Sequence, residues 1–203
     1  MKPERKPQEK PAIGLLLDRD GTVNVDLDFL VRPEDLVLIP GSAEAIREAN
    51  RLGLKVAIIT NQSGIARGLF TVQDLARVHE KLESALAQHG ARVDAIFFCP
   101  HHPELGFPPY RKDCTCRKPK TGMIVQAAKE LHLDLRRSYV VGDRCIDMKA
   151  GEAAGCGTIL VQTGYGTVEM EECMRETRVD HVAKNLKEGW RYIKHDLESR
   201  NLL

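Results

Sequence analysis

With 203 residues, 42% hydrophobic and 29% charged, the chain is long enough to bury one full core, and it reads as a single soluble domain with no second one. A formal net charge of +1 excludes nucleic-acid binding through a broadly basic surface, so any phosphate this protein holds is held locally. No apolar run approaches the ~20 residues needed to cross a bilayer and no charged-then-apolar leader opens the chain, which predicts a cytoplasmic protein with no membrane role.

Residues 1–12 carry three prolines in a mixed-charge run and read as a flexible tail, leaving 13–203 as the folded unit. Short β-branched apolar runs then alternate with longer stretches of helical period. IGLLL (13–17) is a strand, AEAIREANRLG (43–53) a helix, KVAIIT (55–60) a strand and VQDLARVHEKLESALAQHG (72–90) a helix. The alternation continues with VDAIFF (93–98), GMIVQAAKELHL (122–133), YVVG (139–142), CIDMKAGEAAG (145–155), GTILVQ (157–162), VDHVA (179–183) and LKEGWRYIKHDL (186–197). Strands alternating with helices predict an α/β fold, a Rossmann-like parallel sheet sandwiched by helices. Gly53, Gly90 and Gly155 fall where helix C-terminal caps belong. Trp190, in the last helix, is expected in the core.

In such sheets ligands bind beyond the carboxyl ends of the strands. Asp18 and Asp20 follow the first strand, Thr60 and Asn61 the second, and Gly142 and Asp143 the fourth, with Asp147 one helical turn on. Strand-end aspartates often do no more than cap helices. Carboxylates brought together repel, however, and a hard divalent cation with oxygen ligands relieves that; magnesium suits both the donors and phosphate chemistry. Thr60 offers a hydroxyl where an ordinary turn would also place one, and Lys118 in CRKPKTG offers a fixed charge where a solvated surface lysine is the common alternative. Together these groups are the parts a phosphoryl transfer needs. Alternation along an extended chain predicts that Arg19, between the two aspartates, points away from them.

Six cysteines without a secretion signal favour thiols or metal ligands over disulfides. Cys99, His101, Cys114 and Cys116 lie in CPHHPELGFPPYRKDCTC as two short-spaced pairs, which matches a closed, structural tetrahedral zinc site. His102 is the alternative histidine, and a disulfide is the rival arrangement. Cys145, Cys156 and Cys173 read as small buried hydrophobes.

The segments DRDGT (18–22), TNQSG (60–64), RKP (117–119) and GDRCID (142–147) resemble the four motifs of the haloacid dehalogenase (HAD) superfamily. That resemblance implies Asp18 as nucleophile, Asp20 as general acid and base, and Thr60 and Lys118 as stabilisers of the transferring phosphoryl group. It implies magnesium held by Asp18, the backbone carbonyl of Asp20 and Asp143, with Asp147 in the outer shell. The spacing of the motifs leaves no room for a separate cap domain, which favours hydrolysis over phosphate migration.

Together with SGIARG (63–68) and the zinc loop, the motifs most resemble the D-glycero-D-manno-heptose 1,7-bisphosphate 7-phosphatase family. Such enzymes remove the 7-phosphate and leave the 1-phosphate, in heptose synthesis for lipopolysaccharide. The resemblance carries substrate contacts onto Asp26, Leu27, Asp28, Phe29, Asn61, Gln62, Ser63, Arg117 and Arg144, and Arg67 is a further basic candidate. The anomer preferred stays open, and a monomer is the default. Histidinol-phosphate phosphatase, or another small phosphomonoesterase, is the enzymatic alternative. A zinc-organised phosphate-binding module is the non-enzymatic one.

Overall fold

The computed structural model describes residues 10–203, so most of the expected tail lies outside the described residues. Ala12, placed in that tail by its sequence, is hydrogen-bonded: its N–H donates to the His132 carbonyl and its own carbonyl accepts from the Asp134 N–H.

Six parallel strands form one sheet in the order β3-β2-β1-β4-β5-β6. They are β1 (Gly14–Leu17), β2 (Lys55–Asn61), β3 (Ala95–Cys99), β4 (Tyr139–Gly142), β5 (Gly157–Val161) and β6 (His181–Ala183). The helices are α1 (Ser42–Arg51), α2 (Val72–Gln88), α3 (Gly122–Glu130), α4 (Cys145–Ala153), α5 (Gly166–Glu176) and α6 (Leu186–Ser199). Side chains alternate between the faces of a strand, and the core divides accordingly. Leu15 and Leu17 pack with residues of α1, α2 and α6, including the fully buried Trp190. Leu16 packs on the other face with Met123, Ile124 and Ala150 of α3 and α4. Both faces of the sheet are therefore covered, as an all-parallel sheet requires.

Gly53, Gly90 and Gly155 each follow a helix at positive φ, 82°, 69° and 79°, as their spacing predicted. Helix α5 has no counterpart among the elements read from the sequence. Only Gly166 and Cys173 of its eleven residues are buried, so it shows little of the apolar stripe by which a helix is recognised.

The cysteines need a second correction. Cys145 and Cys173, expected as separate buried thiols, form a disulfide. The packing of α5 on α4 brings their Cα atoms to 5.0 Å across a sequence separation of 28, a proximity that linear spacing does not disclose. Cys156 is a free buried thiol, as expected. Among the described residues no helix is long and apolar enough to cross a membrane.

Candidate active site

Strand β1 pairs with β2 on one side and β4 on the other, which makes its carboxyl end the point where strand order reverses and an open crevice forms. The β1 backbone continues one residue into Asp18, whose N–H donates to the Val141 carbonyl at 2.9 Å. The chain then turns. Val23 and Asn24 both donate to the Arg19 carbonyl, and Gly21, at φ 75°, passes so close to Asp143 that a Cβ there would lie 2.3 Å from its Oδ2. A side chain at this position would displace either the turn or Asp143.

Lys118 is the centre of charge. Its Nζ lies 2.9 Å from Asp18 Oδ1 and 2.6 Å from Asp147 Oδ1, and donates to the Ile59 carbonyl at 2.7 Å. Burial works against a charged ammonium, but Asp147 and Asp18 outweigh it and push the Lys118 pKa up. Asn61 ties this lysine to β2. Its Nδ2 donates to the Lys118 carbonyl and its Oδ1 accepts from the Lys118 N–H, both at 3.1 Å.

Burial also pushes Asp18 up to about 7, with the charges of Asp147 and Asp20 adding to it and Lys118 opposing. Asp143 rises to about 8, through burial and then the charges of Asp18 and Asp147. Asp147 does what the simple capping reading describes and more: its Oδ2 accepts the Arg144 N–H at the start of α4, while its Oδ1 faces Lys118. One oxygen of each of Asp18, Asp143 and Asp147 lies within 4.8 Å of the others. Asp143 Oδ2 accepts the Tyr165 N–H at 2.8 Å, yet Asp143 Oδ1 is buried without a hydrogen-bond partner among the described residues. An orphaned carboxylate oxygen beside two other carboxylates is a good fit for a hard divalent cation.

Asp20 is held differently. Arg19 does not point away from it, as alternation predicted, because the chain leaves extended geometry at the turn. The Arg19 side chain is fully buried, and its Nε and Nη2 form a fork onto the Asp20 carboxylate at 2.8–3.1 Å. Burial pushes Asp20 up, but the Arg19 charge and hydrogen bonds from Arg19, Asn24 and Gln62 together hold it below the usual carboxylate range. Behind Arg19 stands His79, whose pKa burial and the Arg19 charge lower to about 3. The neutral ring therefore accepts from Arg19 Nη1 at 3.3 Å. Gln62 Nε2 donates both to Asp20 Oδ2 at 2.9 Å and to Thr60 Oγ1 at 2.8 Å. Sequence reasoning missed Asn24, His79 and the structural part played by Arg19.

Asp18, Asp20, Thr60 and Lys118 floor a cleft of about 220 Å³. Of the residues named from the sequence, Asp26, Asp28, Phe29, Asn61, Gln62, Ser63, Arg67, Arg117 and Arg144 line it. Leu27 does not: it is 48% exposed and faces an adjoining hollow with Asp26, Asp28, Gly164 and Tyr165. Tyr165 and Ile146 line the cleft although nothing in the sequence singled them out. Arg67 lies over the Phe29 ring at 5.7 Å and Arg144 over the Tyr165 ring at 4.4 Å.

The cysteine loop forms one edge of the cleft. Cys99, Cys114 and Cys116 present their Sγ atoms 3.2–3.5 Å apart, and His101 Nδ1 lies 3.4 Å from Cys116 Sγ and 3.7 Å from Cys99 Sγ. A tetrahedron with metal–sulfur distances of ~2.3 Å has edges of roughly 3.7 Å, close to this spacing. None of the three cysteines is in a disulfide. His102 stands outside the group, its Nδ1 accepting from the N–H of Glu104 and Leu105. The loop reaches the second motif at Gly106, φ 91°, where a Cβ would sit 1.8 Å from the Ala66 carbonyl oxygen. It reaches the third through Arg117, which donates to the His101 carbonyl.

Fold and site together define a phosphatase of the HAD type, and a HAD-hydrolase-like family model matches residues 115–189. Over 158 residues the chain is 45% identical to a D-glycero-beta-D-manno-heptose-1,7-bisphosphate 7-phosphatase of Yersinia pestis, covering 77% of this chain and 83% of that protein. A Vibrio cholerae relative of the same name is 41% identical, covering 85% and 92%. The solved D,D-heptose 1,7-bisphosphate phosphatase of B. bronchiseptica, complexed with magnesium and phosphate, superposes with a TM-score of 0.79 at 37% identity, covering 91% of this chain and 99% of that one. The chain belongs to the D-glycero-D-manno-heptose 1,7-bisphosphate 7-phosphatase family.

Proposed function

We propose that this enzyme hydrolyses the 7-phosphate of D-glycero-D-manno-heptose 1,7-bisphosphate, leaving the 1-phosphate. The observation that carries the reading is Asp18 at the floor of a cleft walled by Arg67, Arg117 and Arg144, room and charge for a substrate with a second anionic end. Family membership supports the same substrate.

Asp18 attacks phosphorus and becomes an aspartyl phosphate, and the ester oxygen leaves with a proton from Asp20. Water then attacks the aspartyl phosphate with Asp20, now ionised, taking its proton as base, which releases inorganic phosphate, restores the Asp18 carboxylate and leaves Asp20 protonated for the next turnover. Thr60 Oγ1 accepts from Gln62, which leaves the hydroxyl proton to donate to a phosphoryl oxygen. Lys118 holds Asp18 in place and shields the incoming anion. The Arg19 fork favours ionised Asp20, the form needed for the water step; to serve as acid, its carboxyl turns out of that fork toward the leaving oxygen.

Asp18, Asp143 and the Asp20 backbone carbonyl would hold magnesium, with Asp147 behind them, and the ion would supply charge neutralisation to the phosphoryl oxygens. Cys99, His101, Cys114 and Cys116 would hold a structural zinc ion that fixes the loop beside Arg117 and Lys118. The enzyme acts as a monomer, which gel filtration tests.

The deciding experiment compares phosphate release from the heptose bisphosphate and from histidinol phosphate. Preference for the bisphosphate is expected; preference for histidinol phosphate would overturn the substrate while keeping the chemistry.

A further inference from the structure

We infer that Tyr165 is a specificity-determining residue, acting through a hydrogen-bonded bridge to Asp28 that closes the far end of the cleft. The inference rests on the phosphosugar reading above and deepens it. The Tyr165 hydroxyl donates to Asp28 Oδ1 at 2.9 Å, joining the loop after β1 to the start of α5 across 137 residues of sequence. Both residues line the catalytic cleft and also the hollow beyond it, where Leu27 and Gly164 lie. The bridge is therefore the partition between the two spaces.

Each end is fixed from behind. Asp28 adopts φ 61°, a left-handed conformation that aspartate tolerates better than most residues, and its N–H donates to Asp26 Oδ1 at 2.8 Å. The Tyr165 N–H is anchored on Asp143 Oδ2 at 2.8 Å. Its ring is stacked against the Arg144 guanidinium, which is itself held 2.8 Å from Glu169. Two well-anchored groups meeting across a cleft set how much of a substrate fits between the phosphorus at Asp18 and the partition. The bridge uses Oδ1 of Asp28, and among the described residues no donor takes Oδ2, which can accept a substrate hydroxyl. A polyol chain with hydroxyls at that distance is favoured, and an ester without them gains nothing from the bridge.

Tyr165→Phe keeps the ring and the stack on Arg144 but removes the bridge. The test measures kcat and KM for the heptose bisphosphate and for p-nitrophenyl phosphate, which has no hydroxyls to place. The expected result is a fall of roughly tenfold in the ratio of kcat/KM values, carried by KM for the bisphosphate, the loss typical of one hydrogen bond to a charged group. Asp28→Gly, which accepts the positive φ and deletes both the acceptor of the bridge and Oδ2, should shift the ratio in the same direction by at least as much, and the double variant should be no worse than Asp28→Gly alone. A parallel fall for both substrates would overturn the inference, because Tyr165 would then only be supporting Asp143; an unchanged ratio would overturn it too. If the wild-type enzyme itself shows no preference for the bisphosphate, the substrate reading fails instead. The bridge is then judged by the same ratio measured with a hexose 6-phosphate, where no change overturns it.

Discussion

The carboxylates at the rim and the thiols of Cys99, Cys114 and Cys116 both gather groups that repel one another when ionised, and they are relieved in different ways. At the rim the protein supplies cations of its own: Arg19 forks onto Asp20, and Lys118 is the one that stands within 3 Å of Asp18 and Asp147. Asp143 Oδ1 nonetheless has no partner among the described residues, and the arrangement opens onto a cleft. In the cysteine cluster three thiols and one imidazole face one another. The first region is incomplete on the side where substrate arrives, as suits an exchangeable ion and an anionic reactant. The second offers four ligand groups, the number a structural tetrahedral site takes.

The contrast can be broken most severely at Lys118. Replacing it with Met deletes that cation at similar volume, and kcat should fall on the order of 10³-fold, as when one key electrostatic stabiliser is removed. Steady-state kinetics with circular dichroism as a fold control decide this, and a fall of less than tenfold would mean that the lysine is only structural.

The next effect belongs to neither region but to the corner that supports Arg144 and Tyr165. Reduction of Cys145–Cys173 frees a loop with a sequence separation of 28 and should cost about 3 kcal/mol, a drop of several degrees in Tm under dithiothreitol. A Cys173→Ser variant melting at the wild-type temperature would contradict it.

Stripping the cysteine cluster should act on binding rather than chemistry. Elemental analysis is expected to find zinc, and its removal by a chelator, with magnesium restored, should raise KM roughly tenfold with a smaller change in kcat. Loss of kcat at constant KM would reverse the assignment of roles.

The smallest effect separates the regions by pH. Asp18 and Asp143 rise from an ordinary 3.8 to about 7 and about 8. A carboxyl whose folded value lies above its unfolded one stabilises the fold fully below pH ~4 and loses that contribution as pH climbs through the folded value. Magnesium requires the ionised groups. The Tm gained on adding magnesium should therefore be small at pH 5 and grow toward pH 8, in scanning calorimetry of zinc-loaded protein. A gain that stays flat across this range would place the ion elsewhere.

Much of this was legible in the chain because parallel α/β folds announce themselves by alternation and because the rim residues follow strands. Asp18, Thr60 and Asp143 fall at or just past strand ends, and Lys118, read as lying just before a helix, reaches the same rim from the loop ahead of α3. The grouping of the cysteines was legible from spacing, whereas the choice between His101 and His102 was not; the structure brings His101 to the three thiols. What the sequence concealed depends on contacts between distant segments. Tyr165 reaches Asp28 across 137 residues, and His79 on α2 sits behind Arg19. Neither has a local pattern. Arg19 misled because the alternation rule stops at the end of β1, where a turn begins. Helix α5 was hidden by its mostly polar surface, and with it the Cys145–Cys173 link.

The central claim is that Asp18 carries the phosphoryl group and that only one of the substrate's two phosphates is removed. ³¹P NMR of the heptose bisphosphate turning over with magnesium tests it in wild type and Asp18→Asn. The wild type should release one equivalent of inorganic phosphate and leave the anomeric phosphate signal intact, while the Asn variant, folded, should release none. Release of the anomeric phosphate, or turnover by the variant at near the wild-type rate, would contradict the account.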